Sequence, residues 1–141
     1  MNMQNLINHI KQNDCRGIIR SADGALHYFM HPGVVDLYRL VTTSPSAVCG
    51  GVIADRVIGR GAALLLVKGK ISQVYAMTMS TGARKVLCDA GVDVQCDNEV
   101  EYIINRTGSD ICPVEKATSC TSNPDEALVL IESFLKSAGI I

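Results

Sequence analysis

The chain contains no tryptophan and only 4% aromatic residues, so the core built from its 48% apolar content must be aliphatic. It lacks an excess of charge of either sign. Its 13 Lys and Arg against 14 Asp and Glu give a formal net charge of −1, which supplies no global field to recruit nucleic acid or an anionic membrane surface. No apolar run is long enough to cross a bilayer, and Met1 to Ile10 lacks the basic segment and apolar stretch of a secretory leader. Neither a nucleic-acid nor a membrane partner is therefore expected, and the cytoplasm is the expected compartment.

The six cysteines (Cys15, Cys49, Cys88, Cys96, Cys112 and Cys120) include no C-x-x-C pair, so neither a disulfide framework nor a zinc site is expected. Cys15, Cys49, Cys88 and Cys96 read as small core residues. No metal and no cofactor are expected.

A length of 141 residues suits one domain, residues 1–141, with a proper core. Met3, Leu6, Ile7 and Ile10 form a helical stripe. Cys15 to Arg20 and Ala25 to Met30 read as short strands around Ala22-Asp23-Gly24, a hairpin signal because Asp-Gly accepts positive φ. From Pro32, suited to a first helical turn, Val34, Val35, Leu37, Tyr38 and Val41 return to helical period. Val48 to Ala54 reads as a strand and Ile58 to Lys68 as an apolar helix closed by Gly69; Gln73 to Met79 is the next strand. Ser80 or Thr81 caps a helix ended by Gly91, and Val92, Val94 and Cys96 alternate with polar residues, as in an outer strand with one wet face. Tyr102 to Cys120 is irregular. Asn123-Pro124-Asp125-Glu126 starts a final helix whose inner face carries Ala127, Leu130, Ile131, Phe134 and Leu135. A hairpin followed by three helix-linked strands predicts a three-layer α/β/α fold: a mixed five-stranded sheet with helices on both faces.

The most informative stretch is Val52 to Val67, where an apolar run breaks at Asp55-Arg56, Gly59-Arg60-Gly61 and then resumes. A strand feeding a helix there brings free N–H groups and a favourable dipole to one turn. In one reading, Gly59 and Gly61 let backbone approach a phosphate that Arg56 and Arg60 neutralise, with Asp55 free for chemistry. In the other, Asp55 caps the helix, Arg56 pairs with it, and the glycines allow close packing. A second group, Asn105, Arg106, Thr107, Gly108, Ser109, Asp110, Cys112 and Glu115, offers donors for a phosphate, a carboxylate or a base edge. Cys112 before Pro113 could open a short helix and act as a nucleophile, or be a small buried hydrophobe. His31, near the same edge, is a candidate proton donor or a hydrogen-bonded structural residue.

The element order resembles the cytidine-deaminase-like fold. Through Ala54-Asp55-Arg56-Val57-Ile58-Gly59, and Asn105-Arg106-Thr107-Gly108 leading to Cys112-Pro113-Val114-Glu115, the chain resembles a small uncharacterised prokaryotic family of that superfamily. The superfamily's zinc enzymes place a His or Cys with a nearby Glu at one helix start and P-C-x-x-C at the next. Here the first reads Met30-His31-Pro32-Gly33 and the second Ala54-Asp55-Arg56-Val57, so zinc-dependent deamination is not expected.

These readings place a ligand site at the carboxyl edge of the sheet, from the Asp55–Gly61 turn, Ser80 and Thr81, and the Asn105–Glu115 loop. Arg56, Gly59, Arg60, Gly61, Ser80, Thr81, Asn105, Arg106 and Thr107 would bind, and Asp55, Cys112 or Glu115 would supply chemistry. The expected partner is a nucleotide-like or phosphorylated small molecule, nucleotide-like because the resemblance implies bases and nucleosides. A non-catalytic ligand-sensing or assembly module is the alternative, and self-association is expected for either.

Overall fold

In the computed structural model, which describes residues 2–31, 33–105 and 107–141, five strands form one mixed sheet in the order β2-β1-β3-β4-β5. Pro32 lies outside the described residues, and the helix expected from it starts only at Val35, after Gly33 with φ +78°. The strands are β1 (Gly17–Arg20), β2 (Leu26–Phe29), β3 (Val52–Ile58), β4 (Gln73–Ser80) and β5 (Asp93–Val100). The helices are α1 (Met3–Gln12), α2 (Val35–Thr43), α3 (Arg60–Lys68), α4 (Thr81–Asp89), α5 (Pro113–Thr118) and α6 (Pro124–Ser137). β1 runs antiparallel to both β2 and β3, whereas β3, β4 and β5 are parallel, as helix-linked strands must be.

The helices lie on both faces of the sheet. Leu6, Ile7 and Ile10 of α1 pack on Ile18, Val52, Ala54 and Tyr75. The larger core lies on the other face, where Ile19, Ile53, Val74 and Ala76 meet α2, α3 and α4, and α6 adds Ile131 and Leu135. α3 contributes Ala62, Ala63, Leu64, Leu65 and Leu66, all buried, which is why its sequence is apolar all round. Among the described residues, no helix is long and apolar enough to cross a membrane.

Local chemistry sets several boundaries as expected. The hairpin turns at Gly24 with φ +93°. Ser80 caps α4 by accepting from Ala83 N–H, and Asn123 caps α6 by accepting from Asp125 and Glu126 N–H. Other boundaries move. Residues 45–51 form a short 3₁₀ turn (Pro45–Ala47) and a glycine bend, so β3 begins at Val52 and runs through the Asp55-Arg56 pair. The turn expected there falls at Gly59, and the helix starts at Arg60. Cys15 is buried and Cys96 half-buried, but Cys49 and Cys88 are exposed, so the core reading fails for those two.

Because Asp55-Arg56 is strand, the two side chains take opposite faces. Arg56 points to α1, where Nε donates to Cys15 O at 3.0 Å and Nη2 to Ile10 O at 2.5 Å and Asn13 O at 2.6 Å. It thereby closes the carboxyl end of α1, whose last carbonyls have no helical donor. Arg56→Ala is expected to cost about 2 kcal/mol by leaving these carbonyls without their charged donor. Faster amide exchange confined to α1 would accompany the loss. An unchanged unfolding midpoint would contradict it.

Candidate functional site

A cleft of about 550 Å³ opens beside the carboxyl end of β3, between the β1–β2 hairpin, α2, and the segments around 103–105 and 112–115. Its walls are largely apolar: Phe29, Leu37, Val57, Ile103, Val114 and Phe134 all line it. The polar groups are few, as in most small-molecule pockets.

Asp55 is central among them. In the antiparallel ladder it faces Gly17, and a Cβ at Gly17 would stand 3.0 Å from the Asp55 Cγ and 3.1 Å from Ala54 O. The missing side chain therefore gives the carboxyl its room. Asp55 Oδ1 accepts one long bond, 3.4 Å from Val57 N–H. Burial pushes its pKa up to about 7, against the opposing pull of the Val57 and Arg56 N–H groups and the Arg16 and Arg56 guanidiniums. Arg16, just ahead of β1, lines the same cleft, and its side chain makes no hydrogen bond or ion pair with the described residues. It is close enough to favour the Asp55 carboxylate without touching it.

His31 stands at the exposed rim. Its Nδ1 lies 2.9 Å from Asp36 Oδ1, while Asp36 Oδ2 accepts from the N–H groups of Met30 and His31 at 3.0 and 2.9 Å. Asp36 thus fixes the chain entering α2 and orients the imidazole. The donor set does not fit the zinc of the deaminases: His31 is paired with Asp36, and no group of three His, Cys, Asp or Glu side chains among the described residues converges to hold a metal.

Glu115 lies on the cleft wall but is 5% exposed and fully engaged. Its Oε1 accepts from Arg60 N–H at 2.8 Å and from Ser80 Oγ at 2.6 Å, and its Oε2 accepts from Ile103 N–H at 2.5 Å. It does for α3 what the cap residue Gly59, having no side chain, does not. Arg60 returns the tie: Nε donates to Thr118 O at 3.1 Å, and Nη2 donates to Thr121 O at 2.6 Å and Ser122 Oγ at 3.0 Å, closing the end of α5.

The glycines serve this packing. A Cβ on Gly61 would meet Val114 Cγ1 at 2.4 Å, and one on Gly59 would meet Glu115 Cγ and Oε1 at 3.1 Å. Both nonetheless border the cleft.

Of the sequence-predicted residues, the cleft brings together Asp55, Gly59, Gly61, Asn105, Cys112 and Glu115. Cys112 is half-buried and sits at the N-cap of α5, so the short helix expected at Pro113 forms. Asn105 uses its Oδ1 to hold Ser109 N–H at 3.1 Å and Thr107 Oγ1 at 3.1 Å, shaping its own loop. Thr107 is exposed in that loop, away from the cleft lining. Ser80 is buried behind Glu115, and Thr81 bonds Glu99 Oε2 and Val100 O on the β5 side. Arg56 and Arg60 hold backbone carbonyls and do not line the cleft. Arg106 lies outside the described residues. Arg16 and Asp36 are the functional candidates missed in sequence. Only the β1–β3 register, which pairs residues nearly forty apart, could have pointed to Arg16.

The family described as "Domain of unknown function (DUF1893)" matches residues 5–135. A solved structure of a DUF1893 family protein from Thermotoga maritima is similar in fold, with a TM-score of 0.80 at 20% identity, covering 94% of this chain and 92% of that one. No curated protein matches. With the family's pattern running over nearly its whole length, the chain belongs to the DUF1893 family.

Proposed function

We propose that the chain binds a small anionic molecule with an apolar, planar body, nucleotide-like in size, in the cleft beside the carboxyl end of β3. One observation carries this reading: an Arg16 guanidinium without a partner among the described residues and a sparsely bonded Asp55 carboxyl face the same largely apolar cleft. The guanidinium suits a phosphate or carboxylate, the carboxyl suits an N–H edge, and the aliphatic and phenyl walls suit a flat ring. The volume of about 550 Å³ falls within the usual range for such ligands, roughly 300–1,000 Å³. The strand order and the helix-linked parallel strands also support a cytidine-deaminase-like scaffold, on which the site would work without zinc.

A second reading, binding without turnover, is favoured by Glu115. Both its oxygens are occupied by structural donors, which leaves Asp55 as the acid–base group of the cleft interior.

Calorimetry with a panel of nucleoside 5′-monophosphates tests the proposal, alongside native mass spectrometry for co-purifying ligand. Arg16→Ala should weaken binding by about 1.5–3 kcal/mol, the worth of a charge-assisted hydrogen bond in a partly desolvated site. Ala62→Phe, which fills the cleft, should abolish it. Unchanged affinity in both variants, or ligand-induced NMR shifts at Lys68–Lys70 on the opposite edge, would refute the placement.

A further inference from the structure

We propose that Arg16 and Asp55 form a proton-coupled anion receptor: an anionic group taken by Arg16 enters together with one proton, which Asp55 accepts. This rests on the cleft reading above and specifies the chemistry of that site. The two groups face one apolar cleft without direct contact, so the cleft offers one cation and, beside the fully engaged Glu115, one sparsely bonded carboxyl. An anion arriving at Arg16 satisfies the charge that favours the Asp55 carboxylate and adds a second negative charge beside it. In a poorly hydrated cleft that net charge is costly, and a proton from solvent removes it. The step balances: the ligand stays anionic, Arg16 stays cationic, and the carboxylate becomes a carboxyl able to donate its O–H to the ligand.

The neighbouring groups leave Asp55 as the acceptor. Arg56, next along β3, lies on the opposite face and, like Arg16, favours the carboxylate. Cys15, on the approach to β1, is buried under α1. On the α2 side, His31 and Asp36 are paired with each other. On the α5 side stand Glu115, held by three donors, and the half-buried thiol of Cys112. On β4 the register partner of Asp55 is Ala76, which has nothing to titrate. With its pKa already at about 7 in the free protein, Asp55 needs only a modest further push to hold a proton at neutral pH.

The test is calorimetric titration of the whole chain with benzoate, a planar monoanion that does not itself titrate near neutrality. It is run in two buffers of different ionisation enthalpy, so that the heat difference counts protons. The expected result is net proton uptake, about half a proton near pH 7 and larger between pH 7 and 8. Affinity should fall as pH rises above 7, by up to about tenfold per pH unit. Asp55→Asn should still bind, without proton uptake and without that pH dependence, whereas Arg16→Gln should lose at least tenfold in affinity. Benzoate binding with no proton uptake from pH 6.5 to 8.5, or uptake that persists in Asp55→Asn, would overturn the coupling and leave the cleft reading standing. No benzoate binding by the unsubstituted chain would also overturn it, while the cleft reading is decided separately by the nucleotide panel.

Discussion

Glu115→Ala should lower the free energy of unfolding by about 3–5 kcal/mol, the range for breaking a buried charged network from one side. The cost comes from what is left behind. The Ser80 hydroxyl, itself fully buried, and the half-buried N–H groups of Arg60 and Ile103 all lose their acceptor. Glu115→Gln keeps a carbonyl acceptor and should cost less than half as much. The exposed Glu101→Ala, as a control, should be nearly neutral. Equilibrium unfolding in urea measures all three, and a loss below about 1 kcal/mol for Glu115→Ala would show that the carboxylate does not hold α5 to α3.

Asp55 gives stability a pH dependence opposite in sign to that of ordinary paired carboxylates. Its pKa is about 7 in the folded chain and about 3.9 when unfolded, so between these values the native state binds more protons than the unfolded state. Stability should therefore fall as pH rises from about 4 to 7, at up to about 1.4 kcal/mol per pH unit, and then level off. Asp97, held low by the Tyr75 hydroxyl and Lys11, and Asp110, held low by Lys116, act the other way. Their contributions are present above the usual carboxylate range and are lost as pH falls below it, outside the window that Asp55 governs. Asp55→Asn isolates the term. The variant should gain on the unsubstituted chain steadily from pH 4.5 to 7, and two curves running parallel over that interval would remove Asp55 as the cause.

What could be read from sequence was what neighbouring residues decide. Gly24 adopts the positive φ its hairpin turn needs, Ser80 and Asn123 cap the helices that follow them, and the α1 stripe of Leu6, Ile7 and Ile10 is buried. The misplaced start of β3 came from the apolar Val48, which looks like strand. It instead fills the space under Gly69, where a Cβ would stand 2.6 Å from its Cγ1. The candidate site was harder because its partners are distant in the chain. Arg56 and Arg60 look like ligand-binding charges beside a glycine turn, yet their acceptors lie 41–46 and 58–62 residues away. Asp55 was legible as unusual because a carboxylate interrupts an apolar run. Its cleft, and Arg16 beside it, follow from the antiparallel register with β1, which periodicity does not encode.

That register has a consequence for how such a site can change. The carboxyl is carried on a central strand, hydrogen-bonded on both sides, with its space set by the missing side chain of Gly17 across the ladder. The walls facing it come from the chain around 103–105, the start of α5 and the carboxyl-terminal Ile140. The Asp55 carboxyl is thus built into the part of the fold least able to move, and part of the shape around it into connections that tolerate substitution and insertion. Relatives sharing this sheet could therefore vary the shape of the cleft by altering these walls while the carboxyl keeps its place.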